Sequence, residues 1–257
     1  MDHSPERVMH GTEKQAECPE HGQFLSRNFF GRIWSKCPEC TTAAEREAVD
    51  RARQQEAEAR ERRHLVMLDC ASIPQRFRGR SFDNFDADTP EKKHALTVAR
   101  DFSERFAELA EKGSGLIFSG RPGTGKSHLA GAILQAQMSR DVRYVTCMDL
   151  IRAIRETWRR DSEKTETQML RYFEVLDLLV IDEVGMQYGT DGEQTILFDI
   201  LDRRYREVKP TVLLTNQDRQ GFSSFVGERT FDRLKETCRW VPFDWESYRP
   251  AGRKATS

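Results

Sequence analysis

At 257 residues the chain is long enough for one ordinary domain plus appendages. Its 41 basic and 42 acidic residues leave a formal charge of −1, which excludes a global polybasic signature and confines any nucleic-acid contact to a local patch. No apolar run approaches the roughly 20 residues that span a bilayer, and Met1-Asp2-His3-Ser4-Pro5 opens no hydrophobic signal region, so the expectation is a cytoplasmic chain without membrane contact.

In that reducing setting the six cysteines read as ligands or buried thiols rather than disulfides. Cys18-Pro19-Glu20-His21 and Cys37-Pro38-Glu39-Cys40 form two ligand pairs with 15 residues between His21 and Cys37. Each pair suits a tight turn, and the residues between suit a short hairpin. This is zinc-ribbon spacing with a closed, structural donor set of Cys18, His21, Cys37 and Cys40. Phe24, Leu25, Phe29, Phe30, Ile33 and Trp34 are the candidate core of this small module, with Zn2+ supplying most of its stability. Cys70, Cys147 and Cys238 have no such partners and read as small buried hydrophobes.

From Ala43 to about Leu68 the chain carries no Gly or Pro, and Glu45 to Arg63 holds six acids and six arginines. Glu47–Arg51, Glu56–Arg60 and Glu58–Arg62 stand at i,i+4 in the favourable order, without a continuous apolar stripe. The reading is a solvated spacer helix that divides two modules.

After Ile73-Pro74 polar turns and apolar runs alternate. Strands are expected at Gly115–Ser119, Val142–Thr146, Leu176–Ile181 and Thr211–Thr215. Helices are expected at Thr89–Lys112, Ser127–Ser139, Met148–Arg160 and Thr195–Val208. Buried strands separated by amphipathic helices imply an α/β fold with a parallel, doubly wound sheet.

The sharpest local signal is Gly120-Arg121-Pro122-Gly123-Thr124-Gly125-Lys126-Ser127, followed by His128. It is a complete Walker A loop between an apolar strand and a helix. The glycines let backbone N–H groups close on a phosphate at the positive end of the helix. Lys126 is the candidate for the β- and γ-phosphates of ATP, and Ser127 for Mg2+. Leu178-Leu179-Val180-Ile181-Asp182-Glu183 then ends a buried strand in two carboxylates, a Walker B pattern. Asp182 is expected to hold Mg2+ through water, and Glu183 to polarise the attacking water. Asn216 closes the strand Thr211–Thr215, where an amide can reach the γ-phosphate or instead cap the next helix. In Asp149–Arg160, Arg152, Arg155 and Arg159 fall on one helical face with Arg160 beside them, while Ile151, Ile154 and Trp158 take the other. This is a candidate contact for single-stranded DNA or an ordinary amphipathic surface.

From Walker A onward the chain resembles AAA+ ATPases, with Asn216 at the sensor-1 position. Within them it is similar to the DnaC-type helicase loaders and the related IstB-type transposition ATPases. The resemblance rests on Ile73-Pro74-Gln75-Arg76-Phe77, Ser81-Phe82-Asp83-Asn84-Phe85, the Walker A loop and Asp199-Ile200-Leu201-Asp202-Arg203-Arg204-Tyr205. Gly227-Glu228-Arg229-Thr230-Phe231-Asp232-Arg233-Leu234 and Phe243-Asp244-Trp245-Glu246-Ser247-Tyr248-Arg249 complete it. About thirty residues run from Gly221 to Arg249, the end of the last motif, too few for a full helical lid.

The resemblance implies an ATPase domain over 69–249. Ligand spacing and charge pattern place before it a zinc ribbon over 1–41, expected to bind the partner, and a charged linker helix over 42–68, with a flexible tail over 250–257. The ribbon departs from the purely helical helicase-binding domain of some loaders and is similar to the zinc-containing one of the related DnaI-type loaders. It implies a DnaB-type hexameric helicase and single-stranded DNA as partners, the strand held through the region between Walker A and Walker B, and self-assembly through the ATP sites. Arg229 would be an arginine finger for the neighbouring subunit, and Arg233 a second finger or sensor-2 residue. The ATPase would then be weak until assembled. The alternatives are a transposition accessory ATPase and an ATP-switched adaptor with little turnover.

Overall fold

The computed structural model describes residues 13–29, 33–186 and 191–248, and divides into two compact units, 1–64 and 65–257. The expected tail and the first twelve residues of the expected ribbon lie outside the described residues, as does Phe30.

In the first unit β1 (Glu13–Cys18) and β2 (Gly22–Phe29) pair antiparallel, and β3 (Ile33–Trp34) adds to β2. The hairpin turn is therefore the first ligand pair itself, with Cys18 opposite Gly22 at φ 78°. The second pair is not a turn. Cys37 immediately precedes α1 (Pro38–Cys70) and Cys40 stands in its first turn. The expected apolar core does not form: Leu25, Phe29 and Ile33 are 50%, 51% and 64% exposed. Three short strands have too little surface to cover those side chains, and the buried residues among those described in this unit are Cys18, Ser26 and Cys37.

Along α1 the side chains up to His64 are exposed, apart from partial cover at Cys40 and Ala59. None of the three expected i,i+4 pairs closes as an ion pair among the described residues; Arg51 Nε instead donates to the Glu47 carbonyl at 3.3 Å. Exposed pairs of this kind contribute only about 0.3–0.5 kcal/mol, and water competes for both ends.

The second unit is a five-stranded parallel sheet in the order β5-β6-β7-β4-β8. Its strands are β4 (Gly115–Gly120), β5 (Val142–Thr146), β6 (Leu178–Val184), β7 (Thr211–Thr215) and β8 (Cys238–Phe243). Both faces are covered. Leu116 and Phe118 of β4 join a core with α2 (Pro90–Glu104) and α4 (Lys126–Ala136), through residues such as Ala95, Phe102, Leu129 and Ile133. Ile117 points the other way, into a core with α5 (Cys147–Glu156), α6 (Glu166–Val175) and α7 (Asp191–Arg206). This alternation is why central strands read as unbroken apolar runs.

Several elements depart from their expected limits. The helix expected over 89–112 breaks at Arg105 (φ −97°, ψ 18°), and α3 (Phe106–Glu111) follows. The break seats Phe106 against Phe102 at 5.7 Å, both rings buried. The strand expected from Leu176 begins only at Leu178, after α6, a helix absent from the expected elements; Thr165 and Gln168 form a capping box at its start. The helix expected to reach Arg160 ends at Glu156, where the Thr157 hydroxyl donates to the Ile154 carbonyl at 2.6 Å and the chain tightens into i,i+3 turns. The strand β8 is absent from the expected elements because Arg239 and Pro242 interrupt its apolar pattern; as an edge strand beside β4 it tolerates that proline.

Cys147 is buried and Cys238 partly so, but Cys70, at the end of α1, is exposed. The short helices α8 (Arg219–Val226) and α9 (Glu228–Thr237) precede β8, and among the described residues no helix follows it, so no lid of helices is present there.

One buried cation ties the far end of the sheet together. Arg204 is 1% exposed and donates to the carbonyls of Phe173 (2.7 Å), Leu176 (3.0 Å) and Pro210 (2.5 Å) and to Thr211 Oγ1 (2.9 Å). It thereby joins the end of α6 to the start of β7. Burial pulls its pKa below the usual arginine value, and the ring of acceptors offsets that desolvation.

Candidate functional site

Parallel strands aim their carboxyl ends at one edge of the sheet, and β4, β6 and β7 deliver the Walker A, Walker B and Asn216 segments there. The register pairs Ser119 with Thr215 and Thr146 with Asp182. The loop 120–127 passes directly from β4 into α4. Its backbone needs glycine at Gly125, where φ is 100° and a Cβ would stand 2.7 Å from the Phe85 ring. At Gly120 a Cβ would meet the Phe243 carbonyl at 2.3 Å.

Lys126 is 6% exposed, and its ammonium donates to the Gly120 carbonyl (2.6 Å), the Arg121 carbonyl (2.9 Å) and Asn216 Oδ1 (2.8 Å). The helix-cap alternative for Asn216 falls away, because Asp218 caps α8 by accepting from Gly221 N–H at 2.7 Å. The structure thus brings the Walker A lysine and the Asn216 amide into direct contact.

Ser127 Oγ donates to Asp182 Oδ2 at 2.9 Å, and the Glu183 N–H donates to Asp182 Oδ1 at 2.7 Å. A hydroxyl and a carboxylate facing each other beside this loop are oxygen donors of the kind that a hard divalent cation takes. Glu183 is exposed and sits at φ 60°, an uncommon conformation for a non-glycine residue. The β6–β7 register shifts between Ile181 and Val184, so the bulge re-aims Glu183 away from the ladder.

A residue that sequence reasoning missed is Tyr144. It is buried on β5, and its hydroxyl donates to Asp182 Oδ2 beside Ser127. Burial and the Asp182 charge raise its pKa, so the phenol stays a donor. The available signal was its place two residues before the end of a strand, but strand order was needed to set it beside Asp182. His128 turns away from the loop mouth: its Nε2 lies 2.8 Å from the Ser81 carbonyl, and burial lowers its pKa.

The two candidate fingers differ. Arg229 is exposed in the first turn of α9, with no ion pair among the described residues. Arg233 is ion-paired with Asp202, and its guanidinium lies 5.2 Å from the Tyr205 ring centroid.

The arginine stripe is altered too. Arg152 pairs with Asp149 (3.2 Å), Arg155 with the nearly buried Glu193 (3.4 Å) and Arg159 with Asp161 (3.2 Å). Arg159 and Arg160 lie beyond the end of α5 and do not continue its face. Trp158, expected on the apolar side, is 57% exposed, with its indole N–H donating to Glu166 at 2.8 Å.

In the first unit the donor atoms of Cys18, His21, Cys37 and Cys40 all lie within 4.8 Å of one another. Cys18 Sγ is 3.7 Å from His21 Nδ1 and 3.5 Å from Cys40 Sγ, and Cys40 Sγ is 3.2 Å from His21 Nδ1. A tetrahedral zinc with Zn–S bonds of about 2.3 Å has edges of roughly 3.8 Å, so the set has the dimensions for that ion. His21 Nε2 lies 3.5 Å from Glu39, the kind of outer carboxylate that orients a metal-binding imidazole. The Glu20 backbone N–H, followed by His21, lowers the Cys18 thiol to about 6, and the neighbouring Cys18 raises Cys40 to about 12.

Comparison with known proteins gives a consistent picture. A family model described as IstB-like ATP binding protein matches residues 34–256. The replicative helicase loader DnaC of Escherichia coli (strain K12) is 39% identical over 173 residues, 66% of this chain and 69% of that protein. DnaC of Buchnera aphidicola subsp. Acyrthosiphon pisum is 35% identical over 186 residues, 71% of this chain and 74% of that one. A crystal structure of the DnaC helicase loader superposes with a TM-score of 0.59 at 26% identity, covering 66% of this chain and 99% of the other. The replication initiator DnaA bound to AMPPCP and single-stranded DNA shares the fold, with a TM-score of 0.57 at 21% identity over 68% of this chain and 51% of that one.

Proposed function

Because the chain belongs to the IstB-like ATP-binding family and is homologous to the DnaC loaders, we propose that it is an ATPase that loads a hexameric replicative helicase onto single-stranded DNA. The observation that carries the chemistry is the meeting of Lys126, Asn216, Ser127 and Asp182 at one edge of the sheet. Lys126 and the amides of the loop bind the phosphates, with Arg121 and Pro122 shaping its entry. Ser127 and Asp182 hold Mg2+, which, when bound, neutralises phosphate charge. Asn216 and Glu183 orient and polarise the attacking water, and Arg229 serves a neighbouring subunit's nucleotide. The modular limits are 1–41, 42–68 and 69–249, with zinc on Cys18, His21, Cys37 and Cys40 ordering a module that grips the helicase.

Lys126→Ala is expected to weaken ATP binding at least a hundredfold. Glu183→Gln should bind ATP like wild type and fail to hydrolyse it. Calorimetric titration and phosphate release check the pair. Equal ATP affinity in wild type and Lys126→Ala would remove the phosphate-site assignment.

Single-strand contact is supported by the exposed Trp158 beside Arg159 and Arg160, an aromatic ring for a base next to charges for phosphates. Reversing Arg152, Arg159 and Arg160 to Glu, while keeping Arg155 on Glu193, should weaken binding of single-stranded DNA. Each lost phosphate contact should lower the log–log salt slope by about 0.7. A folded variant with unchanged affinity and slope would leave this turn as plain surface.

The transposition reading is kept open by the family description itself. Co-purification against a hexameric helicase and against a transposase separates the two. Turnover with and without DNA tests the adaptor reading.

A further inference from the structure

The segment after β8 lies on the outer side of the Walker A loop. Phe243 pairs in register with Gly120, and its ring packs on Phe118 at 5.0 Å and on Trp245 at 4.8 Å. From there the Trp245 indole N–H donates to the Thr124 carbonyl at 2.9 Å, and the Tyr248 backbone N–H donates to the Gly123 carbonyl at 2.9 Å. Tyr248 is tied down in turn. Its hydroxyl donates to the Asp86 carbonyl at 2.5 Å, Lys92 Nζ lies 4.5 Å from its ring centroid, and Phe85 meets it edge-on at 6.3 Å. The Asp88 carboxylate, 2.5 Å away, fixes Lys92.

Two consecutive carbonyls of the phosphate loop are thus held from outside by a segment more than a hundred residues away. In a trans peptide the C=O and the following N–H point in opposite directions. Holding the Gly123 carbonyl therefore aims the Thr124 N–H inward, and holding the Thr124 carbonyl aims the Gly125 N–H inward. These planes need such anchoring because Gly123 (φ 81°) and Gly125 (φ 100°) flank them, and glycine leaves peptide rotation nearly unopposed.

We propose that Trp245 and the Tyr248 backbone form a strap that sets the phosphate-binding amides of the Walker A loop, making both positioning residues for the nucleotide. The inference rests on the nucleotide-site reading above. Preset donors bind phosphate without first paying to reorient, so the strap acts on ground-state affinity.

The test uses the full chain in four forms: wild type, Trp245→Phe, Tyr248→Pro and Tyr248→Phe. Trp245→Phe keeps a ring against Phe243 and loses the indole donor; Tyr248→Pro loses the backbone donor; Tyr248→Phe keeps it. Titration with ADP and with ATP should show about tenfold weaker binding for the first two variants, equal for both nucleotides. Tyr248→Phe should stay within about twofold of wild type. Turnover at saturating ATP should hold within about twofold, with the loss appearing in KM. In nucleotide-free protein, amide deuterium exchange over 121–125 should quicken in the two weakened variants while the melting temperature stays within a few degrees. Unchanged affinity in Trp245→Phe and Tyr248→Pro, or a Tyr248→Phe as weak as Tyr248→Pro, would overturn the strap. If Trp245→Phe fails to fold, the Tyr248 pair decides alone. Wild type that binds neither ADP nor ATP would instead overturn the nucleotide site itself.

Discussion

Arg229→Ala is expected to leave ATP affinity of the isolated chain within about twofold of wild type, while turnover stimulated by DNA or partner falls about a thousandfold. The side chain is exposed and without an ion pair among the described residues, so removing it costs the monomer little. Gly227, at φ 83°, sets the turn that starts α9 and presents Arg229 in its first turn. Arg233 is a different case: its charge is matched by Asp202, and its guanidinium stacks on Tyr205 within the same chain. Arg233→Ala should lower stability, since it leaves Asp202 with Arg206 as its remaining partner. Mixing the two proteins tests the direction of action. If each finger completes a neighbour's site, doping Arg229→Ala into wild type should depress turnover beyond its mole fraction. A linear decline would show that Arg229 does not act across subunits.

Replacing Cys37 and Cys40 by Ser should unfold the first unit and spare nucleotide binding by the second. Elemental analysis should find about one zinc per wild-type chain and nearly none in the variant. The effect should be large because little else holds these strands: Leu25, Phe29 and Ile33 are at least half exposed, and of the three buried residues described there, Cys18, Ser26 and Cys37, two are ligands. Structural zinc contributes on the order of 10 kcal/mol or more to such small modules. Cys40 stands in the first turn of α1, so losing the metal also frees that end of the helix. Helicase capture should be lost with the metal, while ATP affinity remains. A variant that retains its strand signal without zinc would refute the structural role. A chain beginning near Leu68 that captures the helicase fully would move the docking surface to the ATPase unit.

What the sequence determined by itself was local. The phosphate loop was legible because strand, glycine turn and helix are contiguous, and because Gly125 has to pass a neighbouring ring at a φ that favours glycine. The strands β4 and β7 were legible because burial on both faces leaves unbroken apolar runs, and β5 because its β-branched and aromatic residues suit a strand. The two ligand pairs were legible from spacing, although spacing did not reveal that the second one opens a helix.

The tertiary structure decided what depends on distant partners. Lys126 and Asn216 are 90 positions apart and meet only because β7 inserts between β6 and β4. Tyr144 reaches Asp182 across neighbouring strands, and Trp245 reaches Thr124 over 121 positions. Arg233 and Arg229 look alike on a helical wheel's exposed side until Asp202 of α7 neutralises one of them. Trp158 fits an apolar stripe only while the helix continues, and the Thr157 hydroxyl helps to end it. None of these contacts leaves a period or a spacing in the chain. Each arises from which strand lies beside which, and that order is set by packing two apolar cores against opposite faces of one sheet.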